Sequence, residues 1–569
     1  MRFLLKLIAN FFILLFWGAR SLLLVRRKKP SRRDYVRIRI KGALPWVNVM
    51  ESWLAYFRKP PMSIEELAED VLSVAHSPAR GVIFEIYPLS ASYDRIEAVR
   101  SLVALLRERG KETVALLIAR GNREYLLASA CDRVVAVPGT GLMLFGVGAE
   151  ATYFRAALDK LGVVAQFYQA GRYKSAGEMF TNKAPSPEAE EELTEILKGI
   201  YDFFVKGVAS GRKMDEQRMR ELLDASPIGL ERALKDNLID DLAPIDDIGE
   251  AIGGRLGKKP RIRSLSQYLS SQPRAPRFYP LVVPKRLAVL RLKGMILEGA
   301  DDRSLEQTSV ISLSTTIRLI NEIKEDKKIA GVVVWITSPG GSALVSEVIY
   351  DKLRNLGKEK PTVAFMDGVA ASGGYFIASG CNYIVSGETT VTGSIGVIVG
   401  KLAFGGLAEK LGVSYHRFSG GGITDYQSVF EPMDERTVSL LTGEVGEIYR
   451  NFVKRVAEGR RKEMSEVERV AEGRVWLGAK AREIGLVDEI GTFRTALDRA
   501  AGYASLSPQA IDDVEFFAPA PRLQSLFMGA PGDCLSAGEH SPLAIYRLME
   551  TLNRERVLML SPYAFYIFD

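Results

Sequence analysis

The chain has 569 residues, of which 47% are hydrophobic and 25% charged, so it is long enough for two or more domains and too apolar to be disordered throughout. Its net charge of +7 does not indicate a nucleic-acid-binding protein, because six Lys and Arg residues between Arg26 and Arg33 account for nearly all of it. Three cysteines without a CxxC pair exclude a disulfide framework, and three separated histidines form no zinc-binding pattern, so we predict neither a metal centre nor a cofactor.

The N-terminal segment Phe3–Val25 is apolar apart from four positions and is followed by the basic cluster. A segment of this length can span a membrane, or it can lie in the membrane interface with the basic cluster holding it down. No small-residue cleavage site follows it, so we expect a retained membrane anchor and not a removed signal peptide. Residues 1–34 are therefore predicted to be an anchor with a basic flank.

Residues 35–256 form the first predicted globular domain, and they contain the segment "AGRYKSAGEMF", Ala170–Phe180. Lys174 lies there among small and aromatic neighbours. A lysine acts as a base only if desolvation or nearby charge depresses its pKa, and a lone lysine is usually a solvated surface charge. The segment by itself does not identify a catalytic residue.

A linker is predicted at residues 257–285, which are rich in Pro, Ser and Arg, and a second domain at 286–505. In that domain the strand-like runs Ile329–Ile336 and Pro361–Met366 alternate with an amphipathic stretch, Ser342–Lys358. This alternation predicts an α/β fold with βαβ crossovers and a parallel sheet buried on both faces. Residues 506–569 end in the apolar "LMLSPYAFYIFD", an extension that we expect to pack or interact and not to catalyse.

Two glycine-rich motifs follow strands of the second domain, where ligands of such sheets bind. "TSPGGS", Thr337–Ser342, offers backbone amides to an oxyanion. In "AASGGY", Ser372 is either a nucleophile or only the N-cap of the helix predicted at Tyr375–Cys381. A hydroxyl beside amide donors suits acyl transfer, for which either His416, in the strand-like run "VSYHRF", or a lysine must serve as the base.

The two domains are copies of one another. "TVALLIARGNREYLLASACDRVV" from Thr113 matches "TVAFMDGVAASGGYFIASGCNYIV" from Thr362, and "LGVVAQFYQAGRYKSAGEMF" matches "LGVSYHRFSGGGITDYQSVF" at an offset of 250 residues. At this offset Asn122 stands where the second copy has Ser372, and Thr424 stands where the first has Lys174. Each copy therefore keeps one half of a possible Ser-Lys pair, which predicts one composite site per chain.

The motifs "SPGGS", "AASGGY", "TGSIGV" and "GRYKSAGEMF" together resemble those of the signal peptide peptidase A (protease IV) family in its long, tandem-domain form, over about residues 35–500. The resemblance implies two copies of a Clp protease/crotonase-like α/β domain. It also implies a Ser-Lys dyad, in which Ser372 is the nucleophile, Lys174 the general base and Ser394 the hydroxyl that orients the lysine. Gly340 or Gly341, together with Gly373, would supply the oxyanion amides.

The same resemblance implies a membrane-bound serine endopeptidase that hydrolyses cleaved signal peptides and similar apolar peptides through an acyl-enzyme. Its expected partners are peptide substrates, membrane lipid at the anchor and further copies of the chain in a homotetramer, without nucleic acid. The family places the catalytic domains on the outer face of the cytoplasmic membrane. The basic cluster on the C-terminal side of the anchor favours the cytoplasmic face instead.

Two alternatives remain from the residues. An acyl-CoA enzyme of the crotonase type would use the strand-end amides without needing Ser372. A membrane scaffold without catalysis would need neither Ser372 nor Lys174, although the intact residues and glycine turns argue against it.

Overall fold

The computed structural model describes residues 10–16, 30–48, 60–256, 260–271, 285–298, 310–507, 514–518, 558–560 and 567–568. The chain forms two compact units. The first comprises Met1–Val147 and Ile200–Pro284, and the second comprises Gly148–Gly199 and Lys285–Phe568. Residues 148–199, which belong to the first copy by sequence, are thus part of the second unit.

The first unit contains a six-stranded sheet in which every pairing is parallel. In spatial order its strands are Asp241–Leu242, Arg133–Ala136, Glu112–Leu117, Gly81–Leu89, Asp34–Gly42 and Arg261–Ser264. Besides a short helix at residues 10–16, the described α-helices that lie wholly in this unit are Ile64–Ala75, Tyr93–Glu108, Asn122–Ser129, Glu216–Asp224, Leu230–Lys235, Ile248–Leu256 and Leu265–Ser270. A 3₁₀ turn spans Ile245–Asp247, and the long helix Pro187–Arg212 contains the boundary between the units.

The main sheet of the second unit repeats this arrangement. In spatial order its strands are Val475–Leu477, Val391–Gly393, Thr362–Ala371, Ile329–Ser338, Arg286–Lys293 and Glu515–Phe517. A further strand, Tyr383–Ser386, pairs with Thr362–Ala371 on one side and with Glu489–Ile490 on the other. The pairings are parallel except that of Val475–Leu477. The α-helices of this unit are Arg155–Leu161, Glu178–Thr181, Leu313–Glu325, Ala343–Leu356, Gly373–Ser379, Gly405–Lys410, Glu435–Arg460, Met464–Glu468, Gly478–Glu483 and Phe493–Tyr503, with a 3₁₀ turn at Ser175–Gly177.

The predicted strands and helix of the second copy are close to the observed ones. The runs predicted at Ile329–Ile336 and Pro361–Met366 form the strands Ile329–Ser338 and Thr362–Ala371, which are buried along nearly their whole length. The amphipathic stretch forms the helix Ala343–Leu356, whose first turn is capped by Ser342. A mixed α/β architecture with a buried parallel sheet is therefore confirmed.

A third sheet, also in the second unit, combines segments from distant parts of the sequence. In spatial order its strands are Val310–Ser312, Met295–Leu297, Gly340–Ser342, Leu558–Leu560, Val397–Ala403 and Val164–Ala170. Elsewhere in the unit, Gly148–Ala149 pairs with Ile567–Phe568. The third sheet matters for function because its strand Gly340–Ser342 lies within the motif "TSPGGS" and its strand Val397–Ala403 begins three residues after Ser394.

The predicted anchor lies largely outside the described residues, because only residues 10–16 of it are described, as a short helix. Among the helices that the structure describes, none has both the length and the apolar character needed to cross a membrane. Residues 1–9 and 17–29 are not among those described, and most of the predicted linker is not either.

Candidate active site

Ser372 connects the strand Thr362–Ala371 to the helix Gly373–Ser379, and its side chain is fully buried. The hydroxyl makes no capping hydrogen bond to that helix, so the common N-cap role does not account for it. Its backbone has φ 56° and ψ −118°, a conformation that non-glycine residues seldom adopt and that is typical of strained functional positions. A hydrogen bond of 2.8 Å from its N–H to the carbonyl of Gly393 fixes this turn.

Lys174 is the partner of Ser372. The lysine Nζ lies 2.8 Å from Ser372 Oγ, although the two residues are 198 positions apart in the chain. Burial of the ammonium group lowers the pKa of Lys174 from its ordinary value of 10.5 to about 7, and the negative charge of Glu192 partly opposes this effect. A substantial fraction of Lys174 is therefore a neutral amine near neutral pH, with a lone pair that can accept a proton.

Ser394 completes the surroundings of the lysine amine. Nζ lies 2.9 Å from Ser394 Oγ and 3.1 Å from its carbonyl oxygen. Since a carbonyl only accepts, Nζ donates to it, and a neutral amine then has its lone pair available for the hydroxyl of Ser372. Ser394 also has a positive φ, 52°, so both serines at the amine have strained backbones.

Strand register explains how Lys174 reaches this position. The strand Val164–Ala170 pairs antiparallel with Val397–Ala403, and Ala170 lies opposite Val397. Lys174 follows Ala170 by four residues, and Ser394 precedes Val397 by three. The two loops therefore emerge side by side at the same end of this strand pair.

The turn at residues 472–474 holds both loops through its backbone. The N–H of Tyr173 donates to the carbonyl of Glu472 at 2.8 Å, and the N–H of Ser394 donates to the carbonyl of Arg474 at 2.7 Å. The lysine loop and the serine loop are thus attached to one short segment. Sequence reasoning missed this turn, because contacts made by backbone carbonyls impose no recognisable residue pattern.

Gly473, at the centre of that turn, lies against the backbone of Lys174. Its φ is 82°, and its N–H donates to the carbonyl of Ile395 at 2.7 Å. A Cβ at Gly473 would lie 2.6 Å from the backbone nitrogen of Lys174. Only glycine fits this approach without displacing the lysine loop.

Glu192 is a second residue that sequence reasoning missed. It is almost fully buried, and its Oε1 accepts a hydrogen bond from the N–H of Val475. Its neighbours Glu191 and Glu195 are exposed and instead bind Nη2 of Arg474, at 2.9 and 2.7 Å. A charged residue on the apolar face of the helix that begins at Pro187 was the available signal in the sequence.

The predicted oxyanion glycines differ in how they are bonded. The N–H of Gly340 donates to Ser338 Oγ at 3.2 Å. The N–H of Gly373 belongs to the first residue of its helix, where no intrahelical acceptor exists. The nitrogen of Gly341 lies 3.3 Å from the point that a Cβ on Gly373 would occupy, so Gly341 and Gly373 adjoin each other beside Ser372.

His416 does not belong to this cluster. The "VSYHRF" run predicted to be strand-like is irregular and exposed, so that prediction was wrong. In the first copy, Asn122 occupies the position of Ser372, and its side-chain amide forms two hydrogen bonds with the backbone of Phe145, at 2.8 and 3.0 Å. Asn122 thus stabilises the loop that contains Phe145.

Comparison with known proteins agrees with the duplicated pattern. The family model described as "Peptidase family S49" matches the chain twice, at residues 106–253 and 354–507. The chain belongs to peptidase family S49. Its relatives include "Serine protease SPPA, chloroplastic" of Arabidopsis thaliana, 28% identical over 473 residues, which are 82% of this chain and 70% of that protein. "Protease 4" of Haemophilus influenzae is 29% identical over 437 residues, 74% of this chain and 69% of the relative.

Membership of family S49 confirms the predicted resemblance to the signal peptide peptidase A family and the prediction of a serine peptidase. The tandem α/β organisation agrees with the two matches. A peptidase family also decides against the acyl-CoA alternative. The roles of the individual site residues stay predictions.

Proposed function

We propose that this S49 peptidase is a membrane-bound serine endopeptidase in which Ser372 is the nucleophile and Lys174 the general base. The observation that carries the proposal is the 2.8 Å approach of Lys174 Nζ to Ser372 Oγ in a fully buried setting. A general base must also be able to accept a proton near neutral pH. Burial makes this possible, since it lowers the pKa of the lysine to about 7.

In the acylation step, the neutral amine of Lys174 accepts the proton of the Ser372 hydroxyl while Oγ forms a bond to the carbonyl carbon of the peptide. The carbonyl oxygen becomes an oxyanion, to which the amides of Gly373 and Gly341 donate hydrogen bonds. The lysine ammonium then gives its proton to the departing amide nitrogen. The C–N bond breaks, an amine leaves, and the acyl group remains on Ser372 as an ester.

Deacylation repeats the sequence with water. Lys174 accepts a proton from a water molecule, whose oxygen attacks the ester carbonyl, and the proton returns to Ser372 Oγ as the acid is released. Ser394 holds the amine during both steps, because its hydroxyl and its carbonyl oxygen both lie within 3.1 Å of Nζ.

We further propose cleaved signal peptides and similar apolar peptides as substrates, since this chain is similar to proteins named SPPA and Protease 4.

The segment Phe3–Val25 would attach the chain to the cytoplasmic membrane, with the catalytic units on the outer face and four copies in the assembly. Reporter fusions to the C-terminal end test the sidedness, and light scattering of the detergent-solubilised protein tests the tetramer. An active reporter on the cytoplasmic side would reverse the orientation.

The catalytic proposal is tested with a short apolar fluorogenic peptide and the variants Ser372→Ala, Lys174→Ala and His416→Ala. We expect the first two to lose activity by about a thousandfold or more, and His416→Ala, at an exposed position, to keep it. A serine-directed fluorophosphonate should modify Ser372, as mapped by mass spectrometry.

Near-normal kcat in Lys174→Ala would refute the dyad. Complete inactivity of the wild-type chain on a wide panel of peptides, together with no labelling of Ser372, would instead support the scaffold alternative.

A further inference from the structure

The side chain of Arg474 joins two loops of the candidate active site, in addition to the backbone contacts made by its turn. Its guanidinium carbon lies 4.5 Å from the centre of the Tyr173 ring and 4.7 Å from the centre of the Trp476 ring. A guanidinium is flat and weakly hydrated, so it packs well against aromatic rings. We call Tyr173, Arg474 and Trp476 together the arginine bridge.

Two carboxylates fix the guanidinium of the arginine bridge. Arg474 Nη2 donates to Glu191 Oε1 at 2.9 Å and to Glu195 Oε2 at 2.7 Å. The hydroxyl of Tyr173 also donates to Glu191, at 3.2 Å, so the ring and the cation share one acceptor. Because only 14% of the Arg474 side chain is exposed, water screens these contacts less than it screens a surface ion pair.

One end of the arginine bridge is the residue before the proposed base. Tyr173 directly precedes Lys174 in the chain. The Lys174 amine lies 2.8 Å from Ser372 Oγ, and it must stay within hydrogen-bond reach of that oxygen to accept its proton. Since the backbone of Tyr173 leads straight into Lys174, fixing the Tyr173 ring limits how far the lysine can move.

The other end of the arginine bridge lies beside the loop that contacts the lysine amine. Trp476 lies opposite Thr392 in its strand pair, and a Cβ at Gly393 would lie 2.9 Å from Trp476 Cδ1. The carbonyl of Arg474 accepts a hydrogen bond from the N–H of Ser394 at 2.7 Å. The arginine bridge therefore connects the lysine loop to the Ser394 loop through side chains.

We propose that Arg474 is a positioning residue whose guanidinium, by holding the Tyr173 ring, keeps the Lys174 amine aligned with the proposed nucleophile. This inference rests on the proposed function of Lys174 as the base. The guanidinium bonds to carboxylates and to no reacting group, so its loss should slow the chemical step without weakening the binding of substrate.

The test compares Arg474→Ala with Arg455→Ala on the short fluorogenic peptide. Arg455 is a matched control, because its guanidinium carbon lies 5.3 Å from the centre of the Tyr350 ring and its Nη2 pairs with Glu347 at 2.6 Å, away from the lysine loop. Arg474→Ala should lower kcat about thirtyfold, with KM within about twofold of the wild type, whereas Arg455→Ala should keep both values. Equal kcat in the two variants would overturn the inference.

Substitutions of the ring extend the test and cover the case in which Arg474→Ala does not fold, as judged by circular dichroism. Tyr173→Phe keeps the ring and should keep kcat, whereas Tyr173→Leu removes the ring and should lower kcat as Arg474→Ala does. If Arg474 acts through the ring, the double variant Arg474→Ala/Tyr173→Leu should be no slower than the slower single variant. Effects that multiply in the double variant would show that the two residues act separately, against the inference.

A crystal structure of Arg474→Ala, or of Tyr173→Leu if only that variant folds, separates this inference from the proposed function. The distance from Lys174 Nζ to Ser372 Oγ, 2.8 Å in the wild type, should exceed about 3.5 Å in the variant. This displacement would uphold the positioning role even if the wild type hydrolysed no peptide, an outcome that would refute only the proposed function. An amine that stays in place would overturn the inference and leave the dyad intact.

Discussion

Lys174 meets two opposing demands at one atom. Its amine must be buried to lose its proton near neutral pH, yet a fully isolated buried ammonium would be too costly to form during the reaction. The acceptors on Ser394 and the negative charge of Glu192 reduce that cost. The balance between burial and these partners sets the pH range in which the Lys174 amine becomes neutral.

Glu192→Gln tests this balance. The substitution keeps an oxygen that can accept from Val475 N–H but removes the charge that raises the pKa of Lys174. In the proposed mechanism the neutral amine is the active form, so activity should rise as pH increases through the pKa of the lysine. We expect the rising limb of kcat, measured between about pH 5 and pH 9, to move to lower pH.

Glu191→Gln is the matched control, because it removes the adjacent charge from an exposed side chain that contacts Arg474. The rising limb of kcat against pH in Glu191→Gln should lie at the same pH as in the wild type. A limb that stays fixed in Glu192→Gln, or moves to higher pH, would show that Glu192 does not act on the base.

The three residues that meet at the Lys174 amine were predictable from the sequence, and the residues that support them were not. Ser372, Lys174 and Ser394 lie in motifs with glycine or small-residue neighbours, and the comparison of the two copies isolated the first two. Glu192 accepts a hydrogen bond from a backbone amide, and only its position on the apolar face of its helix distinguishes it in sequence from the other glutamates there. Burial of one glutamate among several is a property of the packed structure.

The third sheet and the turn at residues 472–474 together place the lysine loop. The turn bonds to the loops of Tyr173 and Ser394, and Gly473 touches the backbone of Lys174. A change at Gly473 should therefore act on catalysis through position, without removing any reacting group.

Gly473→Ala should lower kcat by about a hundredfold, because the new Cβ would force Lys174 away from Ser372 and small displacements of a base are costly. Gly412→Ala is the control, since Gly412 also has a positive φ, 73°, but an added Cβ there meets no atom within 4 Å. The control reports backbone strain alone. Equal kcat in the two variants would refute the placement role.

The strand pattern of the second copy shows a limit of sequence reasoning at this scale. Residues 413–418 were predicted to be strand-like by their composition, yet they are irregular and exposed. Their equivalent in the first copy forms Val164–Ala170, which pairs with Val397–Ala403. Only one of the two similar segments can pair with this edge of Val397–Ala403, and the local sequence does not indicate which one does.

Burial of Lys174 has a cost in the stability of the folded protein, and this cost depends on pH. The pKa of Lys174 in the folded protein, about 7, is below its ordinary value of 10.5. Between these values the unfolded chain binds more protons than the folded chain, so folding becomes more favourable as pH rises from about 7. Below pH 7 both states are protonated and the cost is fully present.

Lys174→Met removes this dependence. Relative to the variant, the wild type should gain roughly 2 kcal/mol of stability between pH 7 and pH 9. Calorimetry gives the Tm of the wild type and of the variant at each pH. The gain appears as an increase, from pH 7 to pH 9, in the Tm of the wild type relative to that of the variant. Lys198→Met, which removes an exposed lysine, serves as the control for lost charge. A Tm difference between the wild type and Lys174→Met that is the same at pH 7 and pH 9 would contradict the prediction.

The tandem organisation was visible in the sequence because the two copies still share motifs at a constant offset. What the sequence could not predict is that Gly148–Gly199 joins the second unit. That assignment depends on the pairing of Val164–Ala170 with Val397–Ala403, a contact between segments more than 200 residues apart. Neither segment carries a residue pattern that specifies the other.

Asn122 has a consequence for any second site in the first copy. At the position that Ser372 occupies in the second copy, its amide forms two hydrogen bonds with the backbone of Phe145, and the first copy has "YPLSAS" where the second has "SPGGSA". Changing Asn122 to Ser would remove those hydrogen bonds without providing a glycine turn. The first copy therefore cannot gain a site of this kind by one substitution.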